Sequence, residues 1–407
     1  MPAILDSSSP DLEINRAHLT DVVRKALDRP VFEVADWNVQ PIHGGYEWDS
    51  AVFRIQGEDR KAGEITPWSL ILKIVRHTEK ASDPAGIWYW KREALAYQFG
   101  MLHHLPGGNV SAPACYSVEE RPDGSMWLWM EDIREDVEGT WPVERYAAAA
   151  RHLGQFNGAY LCGQALPKEP WIPRNWLRMY IENAAQGIEF IRANPNHPVA
   201  RYLFPDKRMA QVLALWDEHR RMLDLLESLP QVFCHQDAFR RNLFSQGGRT
   251  IAIDWGYMGI APVGAELVAL VAASLFFFEI PAEQTEELDR LCFEGYLLGL
   301  RQAGWNGDPR LVRMSYVLSL LYRYLVGGYA GDMLPRMLDQ EGSVKIEAAL
   351  KSHSDSEREK HDLGVAVYFQ ARVQEALKLM GLKRSFFLSS RIAYHLLRLS
   401  LGRKNVS

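Results

Sequence analysis

The chain has only four cysteines, Cys115, Cys162, Cys234 and Cys292, and no two of them form a CxxC pair. No histidine stands beside them at metal-ligand spacing. That excludes a disulfide scaffold, argues against a zinc site, and points to reduced thiols in a cytoplasmic protein. Long hydrophobic runs are missing as well. The most apolar stretch, Leu267 to Phe278, is 12 residues long, short of the ~20 that a membrane span needs, and is expected to be a buried helix. The start, MPAILDSSSPDLE, has no basic stretch followed by an apolar core, so no signal peptide is expected. A positive excess is also absent. With 46 Lys and Arg against 51 Asp and Glu, the net charge is -5, and no nucleic-acid partner is expected. Neither an internal repeat nor a low-complexity tract is present. What remains is ordinary globular composition over 407 residues, enough for two or three domains or lobes and a large buried core.

The hydrophobic pattern changes along the chain. Asp11 to Arg29 reads as a helix that Pro30 stops. Strand-like stretches follow at Phe32 to Ile42, Ala51 to Ile55 and Trp68 to Val75. The third, WSLILKIV, is nearly continuous in its apolar character, as a buried strand is, yet it contains Lys73. Trp88 to Leu105 has a helical pattern closed by Pro106-Gly107-Gly108. Two more strands are expected at Ala114 to Val118 and Met126 to Met130, either side of Arg121-Pro122-Asp123-Gly124. Beyond a charged seam, Asp132 to Thr140, helical patterns dominate at 142–162, 174–193 and 199–228. A strand-rich island lies between Val232 and Asp254, and helices are expected from about 263 almost to the end.

That island carries the chemistry. It reads Val-Phe-Cys-His235-Gln236-Asp237, then Asn242, then Thr-Ile-Ala-Ile253-Asp254-Trp255. Two apolar strands each run into a loop bearing an acid. Phosphoryl transfer needs few protein groups: a carboxylate to orient or deprotonate the attacking hydroxyl, and hard oxygen donors for Mg²⁺ on the phosphates. Asp237, Asn242 and Asp254 supply such groups in a short span. Each alone is an ordinary loop residue or helix cap; their spacing between apolar strands gives them weight together.

In these residues the chain resembles the aminoglycoside phosphotransferase and choline kinase family, small-molecule kinases with a protein-kinase-like fold. The family signature is His-Gly-Asp-x4-Asn followed by Ile-Asp-(Trp/Phe), and this chain departs from it only at Gln236, where glycine is commoner. The resemblance implies an α+β, two-lobe fold. A small β-rich N-terminal lobe, residues 1–131, would bind the nucleotide. A large, mainly helical C-terminal lobe, residues 132–407, would hold the catalytic and metal loops and the acceptor site. Asp237 would be the catalytic residue, Asn242 and Asp254 the Mg²⁺ ligands, and His235 a brace of the loop. Lys73 would contact the phosphates of ATP or GTP, and Glu93 on the next helix would hold that lysine. Gly44 and Gly45, in the turn His43-Gly-Gly-Tyr-Glu47, would cover the phosphates. The strand end at Trp129, Met130 and Glu131 would receive the adenine, and Glu266 would support the catalytic segment. The alternative for Glu93 is an exposed helix acid paired with Lys91 or Arg92.

The implied activity is transfer of the γ-phosphate of a nucleoside triphosphate to a hydroxyl of a small-molecule acceptor. A non-catalytic nucleotide-binding scaffold is the alternative, and the presence of every expected polar group argues against it. A protein kinase is disfavoured because no Ala-Pro-Glu or Asp-Phe-Gly occurs in the expected places. For the acceptor site, Trp171, Trp176, Tyr180, Tyr257, Trp305, Tyr322 and Tyr324 are candidates, with Tyr257 foremost, although aromatics at helical spacing are more often core. Glu283, Glu286, Glu287 and Asp289 read either as a lure for a polycation or as a solvated helix face. From Lys383 onward six basic residues and no acid accompany an apolar helical pattern. A helix packed on the C-terminal lobe is the expectation there, and membrane contact is its rival.

Overall fold

The computed structural model describes residues 12–42, 50–61, 64–136, 139–205, 207–339 and 354–379. Gly44, Gly45 and the basic segment from Lys383 lie outside the described residues. The first helix, α1 (Arg16–Leu27), starts where the Asn15 side chain accepts from the His18 backbone N–H at 3.1 Å. It ends at Asp28, which turns left-handed at φ 51° two residues before Pro30. Leu19, Val22 and Val23 form its buried stripe.

Strands β1 (Asn38–Ile42), β2 (Ser50–Lys61) and β3 (Glu64–Val75) follow, then helix α2 (Arg92–Gln98), the short β4 (Val110–Ser111), β5 (Cys115–Glu120) and β6 (Met126–Glu131). Five of these strands make an antiparallel sheet in the order β1-β2-β3-β6-β5. The apolar run of β3 is continuous because both faces of the sheet are covered. Leu70, Leu72 and Ile74 pack with Trp127 and Trp129 against the buried stripe of α1. Leu128 and Met130 face the other way, into the large core that includes Ala94 and Tyr97 of α2. By strand alternation Lys73 shares that second side; it stands in register with Val52 and Leu128. Helix α2 is shorter than the 88–105 pattern suggested. Gly100, at φ 72°, takes the left-handed conformation that stops it, with the Met101 N–H donating to Ala96 O.

The helical region opens with α3 (Val143–Leu161), α4 (Trp176–Glu182), α5 (Ala184–Ala193), α6 (Pro198–Leu203), α7 (Lys207–Asp217) and α8 (His219–Ser228). The island contains three strands rather than the expected two, β7 (Gln231–Cys234), β8 (Leu243–Gln246) and β9 (Arg249–Ala252), and a fourth, β10 (Gly259–Pro262), follows just beyond it. β7 pairs with β10, and β9 lies between β8 and β4. The four residues of β10 are too short a run to show a period in the sequence. A π-wound stretch, Ala269–Ala273, then runs into α9 (Ser274–Phe276). Helices α10 (Thr285–Gln302) and α11 (Pro309–Leu320) follow, with a second π-wound segment, Leu321–Met333, continuing into α12 (Leu334–Leu338). The last described helix is α13 (Asp355–Leu379).

The α3–α10 crossing positions the island. A Cβ at Gly154 of α3 would lie 2.2 Å from Tyr296 O, and one at Gly299 of α10 would lie 2.0 Å from Arg151 O. Only glycine permits backbones this close. The crossing brings Tyr296 to Asn157, whose Oδ1 accepts from the tyrosine hydroxyl at 2.7 Å. The Asn157 Nδ2 in turn donates to Phe233 O of β7 at 2.8 Å. Of the acids read as a lure or a solvated face, Glu283, Glu286 and Glu287 are exposed, as a solvated face is, and only Asp289 is buried. Asp289 accepts from Arg313, Tyr316 and Tyr368, and Glu286 pairs with Arg372, which ties α13 to α10 and α11. Among the described residues no helix is long and apolar enough to cross a membrane.

Candidate active site

Lys73 reaches out of β3 to two carboxylates. Its Nζ lies 2.5 Å from Glu93 Oε2 and 2.7 Å from Asp254 Oδ1. Burial opposes the lysine charge, but Asp254 and Glu93 outweigh it and raise its pKa. Burial also pushes Glu93 upward, against the pull of Lys73. The second oxygen of Glu93, Oε1, accepts from the Trp255 backbone N–H at 3.1 Å. Glu93 therefore links helix α2 to the loop after β9, and the reading of it as an exposed acid does not hold: the residue is only 4% exposed.

The loop after β9 bends sharply at Asp254, which is left-handed at φ 62°. Asp tolerates that conformation better than most residues. Burial alone would raise the Asp254 pKa, but Lys73 more than reverses this and lowers it. The carboxylate stays ionised and part of its surface reaches solvent.

The loop after β7 is held from several sides. Glu266, fully buried, accepts from the His235 N–H at 2.8 Å and from the Gln236 N–H at 3.1 Å. Burial raises its pKa to about 7, with those two donors pulling the other way. His235 Nδ1 accepts from the Asp237 backbone N–H at 3.2 Å, so its Nε2 is the nitrogen that donates to Ile253 O, at 2.8 Å. Burial lowers the His235 pKa to about 4. The ring is neutral and joins the two acid-bearing loops, which suits a brace and not a proton carrier. Gln236 is left-handed at φ 69°. This is why glycine is the commoner residue at that place in the signature.

Asp237 projects from this loop. Its Oδ2 accepts from Asn242 Nδ2 at 3.0 Å, and the same nitrogen donates to the Asp237 carbonyl. Its Oδ1 accepts from Arg323 at 3.3 Å. Burial raises the Asp237 pKa to about 6, Arg323 and Asn242 opposing the rise. Because the Asn242 amide nitrogen makes both of its bonds, the amide oxygen is left as an acceptor. That oxygen and the Asp254 carboxylate form a small set of hard donors, which suits a cation that completes its shell with phosphates and water. Among the described residues no group of three or more His, Cys, Asp or Glu forms a self-sufficient metal cage.

Met130 lies on the same sheet side as Lys73 and is buried. Glu131 accepts from the Ala114 N–H at 3.1 Å through its carboxylate. Trp129 points to the opposite side, packs toward α1 and donates to Glu119 at 2.6 Å; it does not line the site. Of the aromatic candidates, Trp176, Tyr180, Tyr257 and Tyr324 gather around Arg323 beside Asp237. Tyr322 is buried and donates to Leu215 O, Trp305 packs on the core, and Trp171 supplies a carbonyl to Arg92.

Two residues escaped the sequence reading. Arg92 is not a surface partner of Glu93. It is fully buried and donates to the carbonyls of Trp171 at 2.8 Å, Ile87 at 2.7 Å and Gly256 at 2.8 Å, and to that of Gly86. Burial lowers its pKa to about 10, so it stays charged. It fastens α2 to the segment just past Asp254. Arg323 sits in the π-wound Leu321–Met333 segment, more than 80 residues from Asp237 in sequence. No local pattern marks either residue.

Residues 38–304 match the APH family, described as the phosphotransferase enzyme family. The chain belongs to this family. Its fold is protein-kinase-like, an N-terminal antiparallel sheet followed by a mainly helical region. Among solved structures, choline kinase from Cryptosporidium parvum Iowa II is similar at 14% identity and a TM-score of 0.51, covering 90% of this chain and 97% of that one. Amicoumacin kinase hAmiN, in complex with AMP-PNP, Ca2+ and Ami, is similar at 17% identity and a TM-score of 0.46, covering 80% and 88%. Aminoglycoside phosphotransferase APH(4)-Ia is similar at 17% identity and a TM-score of 0.42, covering 82% and 99%. Comparison with curated proteins returns no match.

Proposed function

We propose that the chain transfers the γ-phosphoryl group of a nucleoside triphosphate, ATP or GTP, to a hydroxyl of a small molecule, with Mg²⁺. The observation that carries this reading is the meeting of Lys73, Glu93 and Asp254 beside Asp237 and Asn242, from segments spread across the chain. In the reaction a bond forms between the acceptor oxygen and the γ-phosphorus, the bond to the bridging oxygen breaks, and the nucleoside diphosphate leaves. Asp237 orients the hydroxyl and takes its proton. Its pKa of about 6 keeps it mostly ionised at neutral pH yet basic enough to accept. Asn242, through its amide oxygen, and Asp254 would hold Mg²⁺, which supplies charge neutralisation on the phosphates.

Lys73 steadies the phosphates, and Glu93 fixes where that ammonium points. Gly44 and Gly45 would cover the phosphates, and Met130 and Glu131 would flank the base. Residues 1–131 then act as the nucleotide lobe and 132–407 as the lobe of the catalytic loops and acceptor. The rate gain comes mainly from positioning and charge placement. The test is incubation with Mg²⁺ and ATP, then GTP, against pooled sugars, hydroxy acids, amino alcohols and aminoglycosides, with products read by mass spectrometry. A phosphorylated product that disappears with Asp237→Ala supports the reading. Intact Mg-nucleotide binding with no transfer to any acceptor favours the non-catalytic scaffold.

A further inference from the structure

The acceptor side of Asp237 is already occupied by a cation. Arg323 Nη2 donates to Asp237 Oδ1 at 3.3 Å, and Nη1 donates to Gln236 O. Its guanidinium lies 4.8 Å from the centroid of the Trp176 ring and 5.5 Å from that of Tyr324. Trp176 is stacked on Tyr180 with centroids 5.1 Å apart, and Tyr257 stands edge-on to Trp176 at 6.3 Å. These rings are the kind of surface on which a quaternary ammonium or a protonated amine would sit. Here the face of Trp176 is taken by the chain's own arginine.

The charge balance agrees. Arg323 is nearly buried and cannot lose its proton at any working pH. The carboxylates that act on this ring cluster are Asp237, bound to Arg323, and Asp332, itself bound to Arg336 at 2.8 Å. An acceptor bearing a positive charge would face a fixed guanidinium, and of the described carboxylates that act on Tyr180 each already holds an arginine. A guanidinium has five N–H donors, and two of them are spent on Gln236 and Asp237. Those that remain suit an oxygen.

We propose that Arg323 selects the acceptor: it excludes cations from the face beside Asp237 and donates to an oxygen next to the attacked hydroxyl, so the acceptor is an uncharged or anionic polyhydroxy compound. This rests on the reading of Asp237 as the residue that engages the acceptor hydroxyl. Wild-type protein with Mg²⁺ and ATP is given two equimolar pools. One holds sugars, inositol and glycerate; the other holds choline, amino alcohols and aminoglycosides. Phosphorylated products are expected from the first pool alone. With such an acceptor, Arg323→Met raises the acceptor KM at least tenfold and leaves the KM for Mg-ATP unchanged, and Arg323→Lys falls between.

A phosphorylated cation made by the wild type, and lost with Asp237→Ala, overturns the inference while leaving the proposed function standing. A product that survives Asp237→Ala overturns the proposed function instead. A fall in kcat with acceptor KM unchanged in Arg323→Met also overturns the inference, because Arg323 would then act on the transferred phosphoryl group. Should the Met variant fail to fold, the two-pool result on the wild type decides.

Discussion

The two loop aspartates differ in exposure, 21% for the Asp237 side chain and 43% for that of Asp254, and in their partners. Asp254 has the Lys73 ammonium at 2.7 Å, and its pKa is lowered although burial works against it. Asp237 has a more distant cation, Arg323 at 3.3 Å, and an uncharged amide at 3.0 Å, and burial raises it to about 6. In surroundings of low polarity, the distance and charge of the nearest donor decide which effect wins. The consequence is a division of labour. One carboxylate is held as a permanent anion, fit to hold a cation. Its neighbour is poised to take up a proton.

The largest effect expected from breaking this contrast is on turnover. Asp237→Ala removes the proposed proton acceptor and should lower phosphoryl transfer by roughly 10²–10⁴-fold, measured as product formed per minute at saturating nucleotide. Next comes the fastening of α2 beside Asp254. Arg92→Met leaves four carbonyl oxygens without their guanidinium, and unfolding in urea should show a loss of at least about 3 kcal/mol. Arg92→Lys should recover little, since an ammonium cannot reach all four with a planar fork.

The third effect is a pH dependence. His235 is neutral in the fold with a pKa near 4, below its unfolded value of about 6.5. The unfolded chain therefore binds the proton more readily between those values. The stability linked to His235 is complete above about pH 6.5 and is lost as pH falls toward 4, a change of roughly 3 kcal/mol. Glu266 acts in the opposite sense. Its pKa is raised to about 7, so its contribution is present at low pH and fades as pH rises from about 4.5 toward 7. The two partly cancel in the wild type. The measurement is thus the difference between the urea midpoints of wild type and His235→Gln across pH 4 to 7, which should shrink as pH falls.

The smallest effect concerns Gln236. Its left-handed backbone carries strain, and its buried amide nitrogen lacks a hydrogen-bond partner. Gln236→Gly should raise stability by about 1 kcal/mol, read as a higher urea midpoint with an unchanged slope. A lower midpoint would mean that the packing of the Gln236 side chain outweighs the strain.

Much of the site was legible because its residues sit in short stretches of strong character. Lys73 stood out as the one charge in an apolar strand, and Asp237, Asn242 and Asp254 share a compact motif between strands. The sheet was legible for the same reason, since β3 and β6 have clear apolar runs. Arg92 looked like one more exposed helix charge, because nothing in Trp-Lys-Arg-Glu-Ala reveals that four carbonyls converge on it. Arg323 was hidden by distance in sequence and by its place among tyrosines that read as core. Asp289, alone among the acids around the start of α10, was misread, because its partner Tyr368 comes 79 residues later. Local chemistry is visible in a sequence; partnerships made by long-range packing are not.

The division of labour between the two aspartates is tested most directly by calorimetric titration of Mg-AMP-PNP into Asp237→Ala and Asp254→Ala. Asp237→Ala should bind the nucleotide as the wild type does, and Asp254→Ala should lose Mg²⁺-dependent binding. Equal loss in both variants, or loss in Asp237→Ala alone, would contradict it.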